Sequence, residues 1–246
     1  MTAAGSGRHQ RLDALRGAAI VWMAGFHLCF DLNYFRLLTP VQAFTRDPFW
    51  TVQRACIVTL FVFCAGLSQA VALQAGQGWP RFWKRWAQVA ACAVGVSLGS
   101  AWMFPQSFIY FGVLHGVAAM LLLTRLVAPR QGRLWLLVLS GALCVALPFA
   151  VRHPSFDPPW CNWVGLVTRK PVTEDYVPVL PWLGVMLWGL AAGQWLLRHR
   201  PALLGAALPG MFRPLAVLGR WSLSFYMLHQ PVLLGGLMAG RGLGLW

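Results

Sequence analysis

The amino-acid sequence predicts an all-α integral membrane protein, a polytopic bundle of about seven transmembrane helices. Three observations support this fold class: an apolar composition, seven apolar stretches of bilayer length, and ionisable residues inside the first of them. Hydrophobic residues make up 58% of the 246 residues, and only 11% are charged. A soluble domain carries about 25% charged residues, so most of this surface must meet lipid. Because no low-complexity tract or long linker interrupts the chain, we expect one membrane domain over residues 1–246.

Each of the seven stretches can cross about 30 Å of hydrocarbon at about 1.5 Å per residue. They run roughly over 14–35, 49–74, 86–104, 107–127, 134–151, 178–197 and 217–239. The third and fourth are separated only by Phe104-Pro105-Gln106, which predicts a tight hairpin. The seventh has the weakest signal, because Arg220 and several Ser and Gly residues dilute its start.

The positions of Lys and Arg predict a cytoplasmic N-terminus and a C-terminus on the outer side. In this orientation thirteen of the 20 Lys and Arg residues lie on the cytoplasmic side, six lie outside, and Arg54 is inside a span. Loops rich in Lys and Arg stay on the cytoplasmic side of membranes. The acidic residues lean the other way, with four of the six outside: Asp47, Asp157, Glu174 and Asp175.

The sequence indicates neither nucleic acid nor a metal as a partner. A net charge of +14 would favour nucleic acid in a soluble protein, but here the basic residues form short clusters between apolar runs. Of the six cysteines, only Cys161 lies in a long loop, and neither CxxC nor the His/Cys spacing of a zinc site occurs. We therefore expect the cysteines to be packing residues.

The loop over residues 152–177 is the longest on the predicted outer side, and loops of this length are often functional. It carries aromatic and ionisable side chains: His153, Asp157, Trp160, Trp163, Glu174, Asp175 and Tyr176. One interpretation is a cap that holds a polar, sugar-like acceptor. The other is an interfacial belt in which the Trp rings rest on lipid headgroups.

The first span carries a line of ionisable residues. Asp13, Arg16, His27 and Asp31 are spaced by 3, 11 and 4 residues, which returns to roughly one helical face at about 100° per residue. Charged side chains are costly inside a bilayer, so they usually face a protein interior or a wet cavity. The pattern therefore indicates a polar active centre rather than a passive anchor.

Histidines form the candidate catalytic set. His27 and Asp31 are i, i+4 neighbours, and a carboxylate that orients an imidazole suits a general base. The alternative is a structural hydrogen bond between helices. His115 in the fourth span and His229 in the seventh fall in the same middle-to-outer zone, so the three histidines are predicted to share a site. Singly, each also fits a satisfied interhelical histidine.

Arginines at two depths are candidates for binding anions. Arg54 lies five or six residues into the second span, and a buried Arg needs an anionic partner, for which Asp31 is predicted. The alternative is that Arg54 snorkels to the outer headgroups. At the cytoplasmic end, Arg16 is predicted to hold a phosphate of a donor, helped by Arg11 and Arg220. The alternative there is anchoring by the positive-inside rule.

Four segments resemble bacterial membrane proteins related to the catalytic domain of heparan-α-glucosaminide N-acetyltransferase. They are RLDALRGAAIVWMAGFHLCFDLNYF at 11–35, FIYFGVLHGVA at 108–118, DYVPVLPWLGVMLWG at 175–189 and LGRWSLSFYMLHQP at 218–231. They occur in order and cover most of the chain. The first and last also resemble, more weakly, the bacterial integral-membrane O-acyltransferases, which share an Arg-Gly start and a downstream His.

The resemblance implies a multispanning acyltransferase of the bacterial inner membrane. Such a protein takes acetyl from acetyl-CoA on the cytoplasmic side and delivers it to a sugar or glycolipid on the other side. The resemblance points to these residues: Arg11, Asp13, Arg16, Gly17, His27 and Asp31 in the opening motif, Tyr110 and His115 in the second, Asp175 and Trp182 in the third, and Arg220, Ser222, Tyr226 and His229 in the last. The expected partners are the bilayer, acyl-CoA and the acceptor, and a homodimer is left open.

Three functional hypotheses follow. In the first, Arg16 with Arg220 holds the CoA phosphates, His27 oriented by Asp31 deprotonates the acceptor, and His229 or His115 polarises the thioester carbonyl. The second is a non-catalytic transporter or scaffold that keeps the fold. The third is an electron carrier with histidine-ligated haem.

Two stretches of small residues leave the packing of helices open. They are GVSLGSA at 95–101 and GLAAG at 189–193. Small residues let helices approach closely in membranes. The contact they make is either within one protomer or between two.

Overall fold

The computed structural model of the protein describes residues 9–128 and 133–245, which form helices and loops without a β-strand. This confirms the all-α prediction. The helices are α1 (Gln10–Tyr34), α2 (Pro48–Gln74), α3 (Trp79–Met103), α4 (Val113–Val127), α5 (Leu134–Ala150), α6 (Val179–His199), α7 (Pro201–Gly205), α8 (Arg213–Arg220) and α9 (Ser222–Gly242). Short 3₁₀ helices lie at Pro154–Phe156, Asn162–Val164 and Gly210–Phe212.

Among the described helices, four are long and apolar enough to cross a membrane, namely α1, α2, α3 and α6. Two more, α4 and α5, are apolar but shorter. The predicted seventh span is divided into α8 and α9 at Trp221, whose ψ of 22° departs from the helical value. The expected count of seven spans and their orientation therefore stay predictions.

The boundaries of α3 and α4 differ from the prediction for identifiable reasons. Helix α3 begins at Trp79 rather than at residue 86, with Pro80 in its first turn, where the missing N–H of proline costs nothing. Helix α4 begins at Val113 rather than at residue 107. The segment before it forms a turn at 105–107 and is then non-helical, with Phe111 bridged to Tyr176. The tight hairpin expected at 104–106 is thus a longer connection.

The chain divides into two compact units. The first comprises the residues up to 61 together with those from 202 onward, and the second comprises residues 62–201. The first unit contains α1, α8 and α9. The second contains α3, α4, α5 and α6. The boundaries between the units fall inside α2 and after Pro201, the first residue of α7.

In the first unit, α1 packs against α8 and α9. Glycines permit the close crossing with α8: a Cβ added to Gly17 would overlap the carbonyl of Leu215, and one added to Gly219 would overlap the carbonyl of Asp13. Two backbones touch only where no side chain separates them. The α1–α8 crossing is therefore fixed at the residues next to Arg16 and Arg220.

The outer end of α1 is closed by the loop that follows it. The side chain of Asn33 accepts a hydrogen bond from the backbone N–H of Gln42 at 2.6 Å and donates to its carbonyl at 3.0 Å. Phe44 stacks on Trp50 with ring centres 4.0 Å apart, and Phe26 packs edge-on against both. These contacts fix the helix that carries the candidate site.

In the second unit, α6 is the central helix. It contributes Leu187, Leu190 and Ala191 to a buried cluster completed by Ala70 and Leu137. The stretch GLAAG at 189–193 packs within the chain, since Gly189 lies against Phe63 and Gly193 against Ala70. This answers the question left open by the sequence for that stretch.

The loop between α5 and α6 has its own hydrogen-bonded structure. The Asp157 carboxylate accepts from the backbone N–H of Thr168 at 2.7 Å and from its hydroxyl at 2.5 Å. These bonds favour the charged form and hold the pKa of Asp157 below its usual range. Trp160 is 75% exposed, as both interpretations of this loop require.

Candidate functional site

His27 of α1 and His229 of α9 form the centre of the candidate site. Their ring centres are 5.1 Å apart and the ring planes meet at 68°. His27 is half-buried, and His229 is only 8% exposed. Of the three histidines predicted to share a site, the structure brings these two together in the first unit.

Asp31 lies one helical turn beyond His27 and is 2% exposed. Its partner is Gln230, whose amide nitrogen donates to both carboxylate oxygens, at 2.9 and 3.1 Å. Buried charge must be hydrogen-bonded to be tolerated, and Gln230 supplies those bonds. Asp31 was expected to pair with His27 and with Arg54. It bonds Gln230 instead, because α9 places the Gln230 side chain next to Asp31.

The environment of His229 fixes its tautomer. Its Nδ1 lies 2.6 Å from the backbone carbonyl of Tyr226. A carbonyl only accepts, so Nδ1 must carry the proton and Nε2 of the neutral ring is an acceptor. Phe225 stacks parallel to the ring, with centres 6.3 Å apart, and the Tyr226 ring lies 5.6 Å away. Tyr226 therefore lies beside the histidine pair, as the closing motif implies.

The other end of α1 carries a basic site. Asp13 is buried and accepts from Arg16 at 3.0 Å, which orients a guanidinium whose side chain is 28% exposed. Arg11 donates to the carbonyls of Leu203 at 3.3 Å and Ala207 at 3.5 Å. Its guanidinium therefore ties α1 to α7 and the segment after it.

Arg220 ends α8 and is exposed. The glycine crossing brings α8 against α1 one residue before Arg220 and one residue after Arg16. The structure thus places two of the predicted phosphate-binding arginines on helices that touch. Ser222 starts α9 directly afterwards.

His115 lies in the second unit, and both of its ring nitrogens are engaged. The N–H of Gly112 donates to Nδ1 at 3.3 Å, which leaves the proton on Nε2. Nε2 lies 3.0 Å from the hydroxyl of Ser97, and that hydroxyl donates to the carbonyl of Ile109 at 2.7 Å. This histidine caps the start of α4 and joins it to α3. Its predicted sharing of a site with the other two histidines stays a prediction.

Asp175 and Tyr110 also have structural partners in the second unit. Asp175 accepts from the backbone N–H of Val113, the first residue of α4, at 2.7 Å, where a carboxylate is stabilising. The Tyr110 hydroxyl accepts from Asn162 at 2.7 Å. Asn162 in turn accepts at its carbonyl from Tyr176 at 2.6 Å. Burial raises the pKa of the Tyr176 hydroxyl above its usual range.

The remaining predicted residues lie as follows. Trp182 is half-buried in α6, near its N-terminus. Arg54 is exposed on α2, and within the described residues it forms no ion pair with Asp31. Exposure of Arg54 agrees with the snorkelling alternative. Its role toward a substrate stays a prediction.

Sequence reasoning missed Gln230 and Asn162. Gln230 stands in the closing motif beside His229, and its neutral side chain gave no charge signal. Asn162 lies in the long loop and is 1% exposed. A polar amide next to a candidate histidine in an apolar span was the one available hint for Gln230.

Among residues 9–128 and 133–245, no three or more His, Cys, Asp or Glu side chains are grouped to hold a metal ion.

The comparisons with known proteins agree with the motifs. The family model described as heparan-alpha-glucosaminide N-acetyltransferase, catalytic, matches residues 8–231. No curated protein and no solved structure matches the chain. The match covers His27, Asp31, His229 and Gln230, and it extends from the start of α1 to Pro231 in α9. The chain is therefore a helical membrane protein of the heparan-alpha-glucosaminide N-acetyltransferase catalytic family.

Proposed function

We propose that this protein transfers an acetyl group from cytoplasmic acetyl-CoA to an amine or hydroxyl of a sugar, in a glycan or glycolipid on the outer side of the membrane. The observation that carries the proposal is the buried polar contact between α1 and α9, where His27 faces His229 and Gln230 holds Asp31. Polar groups placed inside apolar helices are functional by default.

The basic end of α1 supports binding of the donor. Arg16 is oriented by Asp13, and Arg220 lies at the end of the helix that crosses α1 beside it. Guanidinium groups bind phosphate by charge and by paired hydrogen bonds. Eleven residues separate Arg16 from His27, which is about 16 Å along the helix. A pantetheine arm has a reach of this order.

The chemistry required at the other end is acyl transfer. A lone pair of the acceptor nitrogen or oxygen attacks the thioester carbonyl, the bond from carbon to sulfur breaks, and the acceptor proton passes through a base to the CoA thiolate. A second polar group stabilises the charge that develops on the carbonyl oxygen. Two imidazoles 5.1 Å apart are suited to these two tasks.

Contacts to the acceptor are assigned more coarsely. Tyr226 lies beside His229, and Arg54 is exposed on α2, so we assign both to the acceptor. Tyr110, Asp175 and Trp182 are proposed to shape the outer part of the second unit. The first two do so through the bonds they already make.

The haem hypothesis is less compatible with the geometry. Metal–nitrogen bonds of about 2 Å place each imidazole centre about 3 Å from an iron, so two axial histidines have centres about 6 Å apart. The observed 5.1 Å between His27 and His229 is shorter. A non-catalytic transporter or scaffold remains the rival, and it requires export or partner binding that survives loss of His27.

Binding of acetyl-CoA to detergent-purified protein tests the proposal without knowledge of the acceptor. We expect saturable binding that weakens by about tenfold or more in Arg16→Ala, because a charge-assisted hydrogen bond is lost. Arg213→Ala on α8 is the matched control and should bind as the native protein does. Absence of binding at millimolar ligand in a folded sample would refute the proposal.

A further inference from the structure

Two neighbouring residues of α9 present buried acceptor atoms with no partner. Within the part of the chain that the structure describes, Nε2 of His229 and Oε1 of Gln230 are both buried and make no hydrogen bond. Burying such groups unpaired costs free energy. Two such acceptors on consecutive residues of the candidate site therefore indicate a place where a hydrogen-bond donor of a ligand can bind.

Each of these atoms is held as an acceptor by the bond on the other side of its own group. Nδ1 of His229 donates to the carbonyl of Tyr226, so Nε2 has a lone pair and no proton. The amide nitrogen of Gln230 donates to both oxygens of Asp31, so Oε1 of Gln230 points away from that carboxylate. Neither the imidazole nor the amide can rotate by 180° without breaking a buried hydrogen bond.

The site therefore offers lone pairs from a ring nitrogen and an amide oxygen on consecutive residues of α9. A ligand that matches it must donate hydrogen bonds.

We propose that His229 is the general base of the transfer, that it takes the acceptor's proton at Nε2, and that Gln230 holds a second donor of the same acceptor. This inference rests on the proposed function and narrows it. It assigns to His229 the role that the sequence gave to His27. His27, half-buried and facing the ring of His229, is assigned to the thioester carbonyl.

The acetyl transfer moves one proton from the acceptor to the CoA sulfur through His229. The acceptor nitrogen or oxygen forms its bond to the thioester carbon while its proton passes to Nε2 of His229. The carbon–sulfur bond then breaks, and the imidazolium returns the proton to the CoA thiolate. The acceptor group that fits is a neutral amine with a neighbouring hydroxyl, or two neighbouring hydroxyls, because each supplies two donors. A carboxylate or phosphate would meet only lone pairs here.

The tautomer can be tested without any activity. We would record ¹⁵N spectra of histidine-labelled protein in detergent and assign His229 by its loss in His229→Asn. We expect a protonated Nδ1 and an unprotonated Nε2, whose resonance shifts on addition of glucosamine and does not shift on addition of acetate. A protonated Nε2, or a resonance indifferent to glucosamine, would overturn the inference.

Kinetic measurements give a second test of the inference. Glucosamine and glucose serve as acceptors, and the release of free CoA is measured. His229→Asn keeps a side-chain N–H for the Tyr226 carbonyl but has no base, so kcat should fall by about 10²–10⁴-fold with little change in the KM for acetyl-CoA. Imidazole should restore turnover to His229→Ala and not to His229→Asn. His199→Ala is the control.

The outcomes separate this inference from the proposed function. Failure of the native protein to bind acetyl-CoA refutes the proposed function, whatever the tautomer. Native turnover together with an undiminished kcat in His229→Asn refutes the inference alone. A loss of kcat in His229→Ala that imidazole does not restore, with the thermal unfolding temperature unchanged, also refutes it.

Discussion

At the scale of single residues, the candidate site is defined by which side chain forms a hydrogen bond with each buried polar group. Asp31 was predicted to orient His27, and the geometry gives it to Gln230 instead. The partners are 199 positions apart in sequence. No local pattern connects residues at that separation, whereas the i, i+4 pair is visible in the sequence at once. The histidines and Asp31 were thus predictable, whereas Gln230 and its pairing with Asp31 were not.

The hydrogen bonds from Gln230 to Asp31 are expected to contribute measurably to the stability of the fold. Gln230→Leu leaves a buried carboxylate without its donor, and such a loss costs about 1.5–3 kcal/mol. We expect a lower thermal unfolding temperature in detergent. Asp31→Leu combined with Gln230→Leu should recover part of the loss, since both polar partners are then absent. Gln53→Leu on α2 is the control, since the hydrogen bond that Gln53 accepts from Trp22 is exposed, and an equal effect there would contradict the assignment.

His27 has its own prediction. If it stabilises the carbonyl oxygen, His27→Ala should lower acetyl transfer by roughly 10²–10³-fold, the usual cost of one such donor. Binding of acetyl-CoA should persist, because Arg16 lies about 16 Å away along α1. The check is a pair of binding and turnover measurements beside His199→Ala. Full turnover in the variant would remove His27 from the reaction.

At the scale of elements, the backbones of α1 and α8 cross closely in the first unit. Gly17 and Gly219 allow each backbone to approach the other. The two glycines were visible in the sequence only as neighbours of arginines. Their role follows from the space around them, which sequence alone does not contain.

Alanine at either glycine of this crossing should be destabilising. The added Cβ would overlap backbone atoms, which cannot rotate away, so we expect a loss of about 1–3 kcal/mol or more in the free energy of unfolding. The binding of acetyl-CoA should weaken as Arg16 and Arg220 separate. Gly25→Ala on the same α1 is the matched control, since no atom lies within 4 Å of an added Cβ there. An equal effect at Gly25 would exclude this explanation.

The loop between α5 and α6 predicts a pH dependence. Thr168 holds the pKa of Asp157 low in the folded protein. The stability that this carboxylate contributes is therefore complete above its ordinary pKa of about 3.9, and it is lost as pH falls through the lower pKa of the folded state. Thr168→Val keeps the backbone bond and loses the hydroxyl, so the loss should begin at higher pH. Pepsin cleavage of the loop across this range is the measurement. Thr173→Val, whose hydroxyl donates to Phe108, is the control, and an identical shift would contradict the prediction.

At the scale of the whole molecule, the described chain is helical, apolar and strongly basic. Four helices have the length and composition of membrane spans, and two more are apolar but short. The excess of Lys and Arg in the predicted cytoplasmic loops predicts the orientation of the chain by the positive-inside rule. The direction of transfer in the proposed function depends on this orientation.

Cysteine labelling in intact cells tests the orientation. A cysteine placed at Trp160 should react with a membrane-impermeant maleimide added outside, because this side chain is exposed in the loop between α5 and α6. A cysteine placed at Arg213, exposed at the start of α8, should react only after the cells are opened. The native sequence supplies the background signal. The reverse pattern would invert the proposed direction of transfer.

The sequence by itself determined the fold class, the family and the ionisable residues of the candidate site. Hydropathy, charge placement and helical spacing are local properties, so they can be read along the chain, and the motifs of 11–35 and 218–231 carried the family. Only the tertiary structure decided that Gln230 donates to Asp31, that His115 caps α4 with both ring nitrogens engaged, and that Nε2 of His229 is a buried acceptor. These three features depend on which atoms meet across helices. The free energy of burying a polar group depends on whether it finds a hydrogen-bond partner at those contacts.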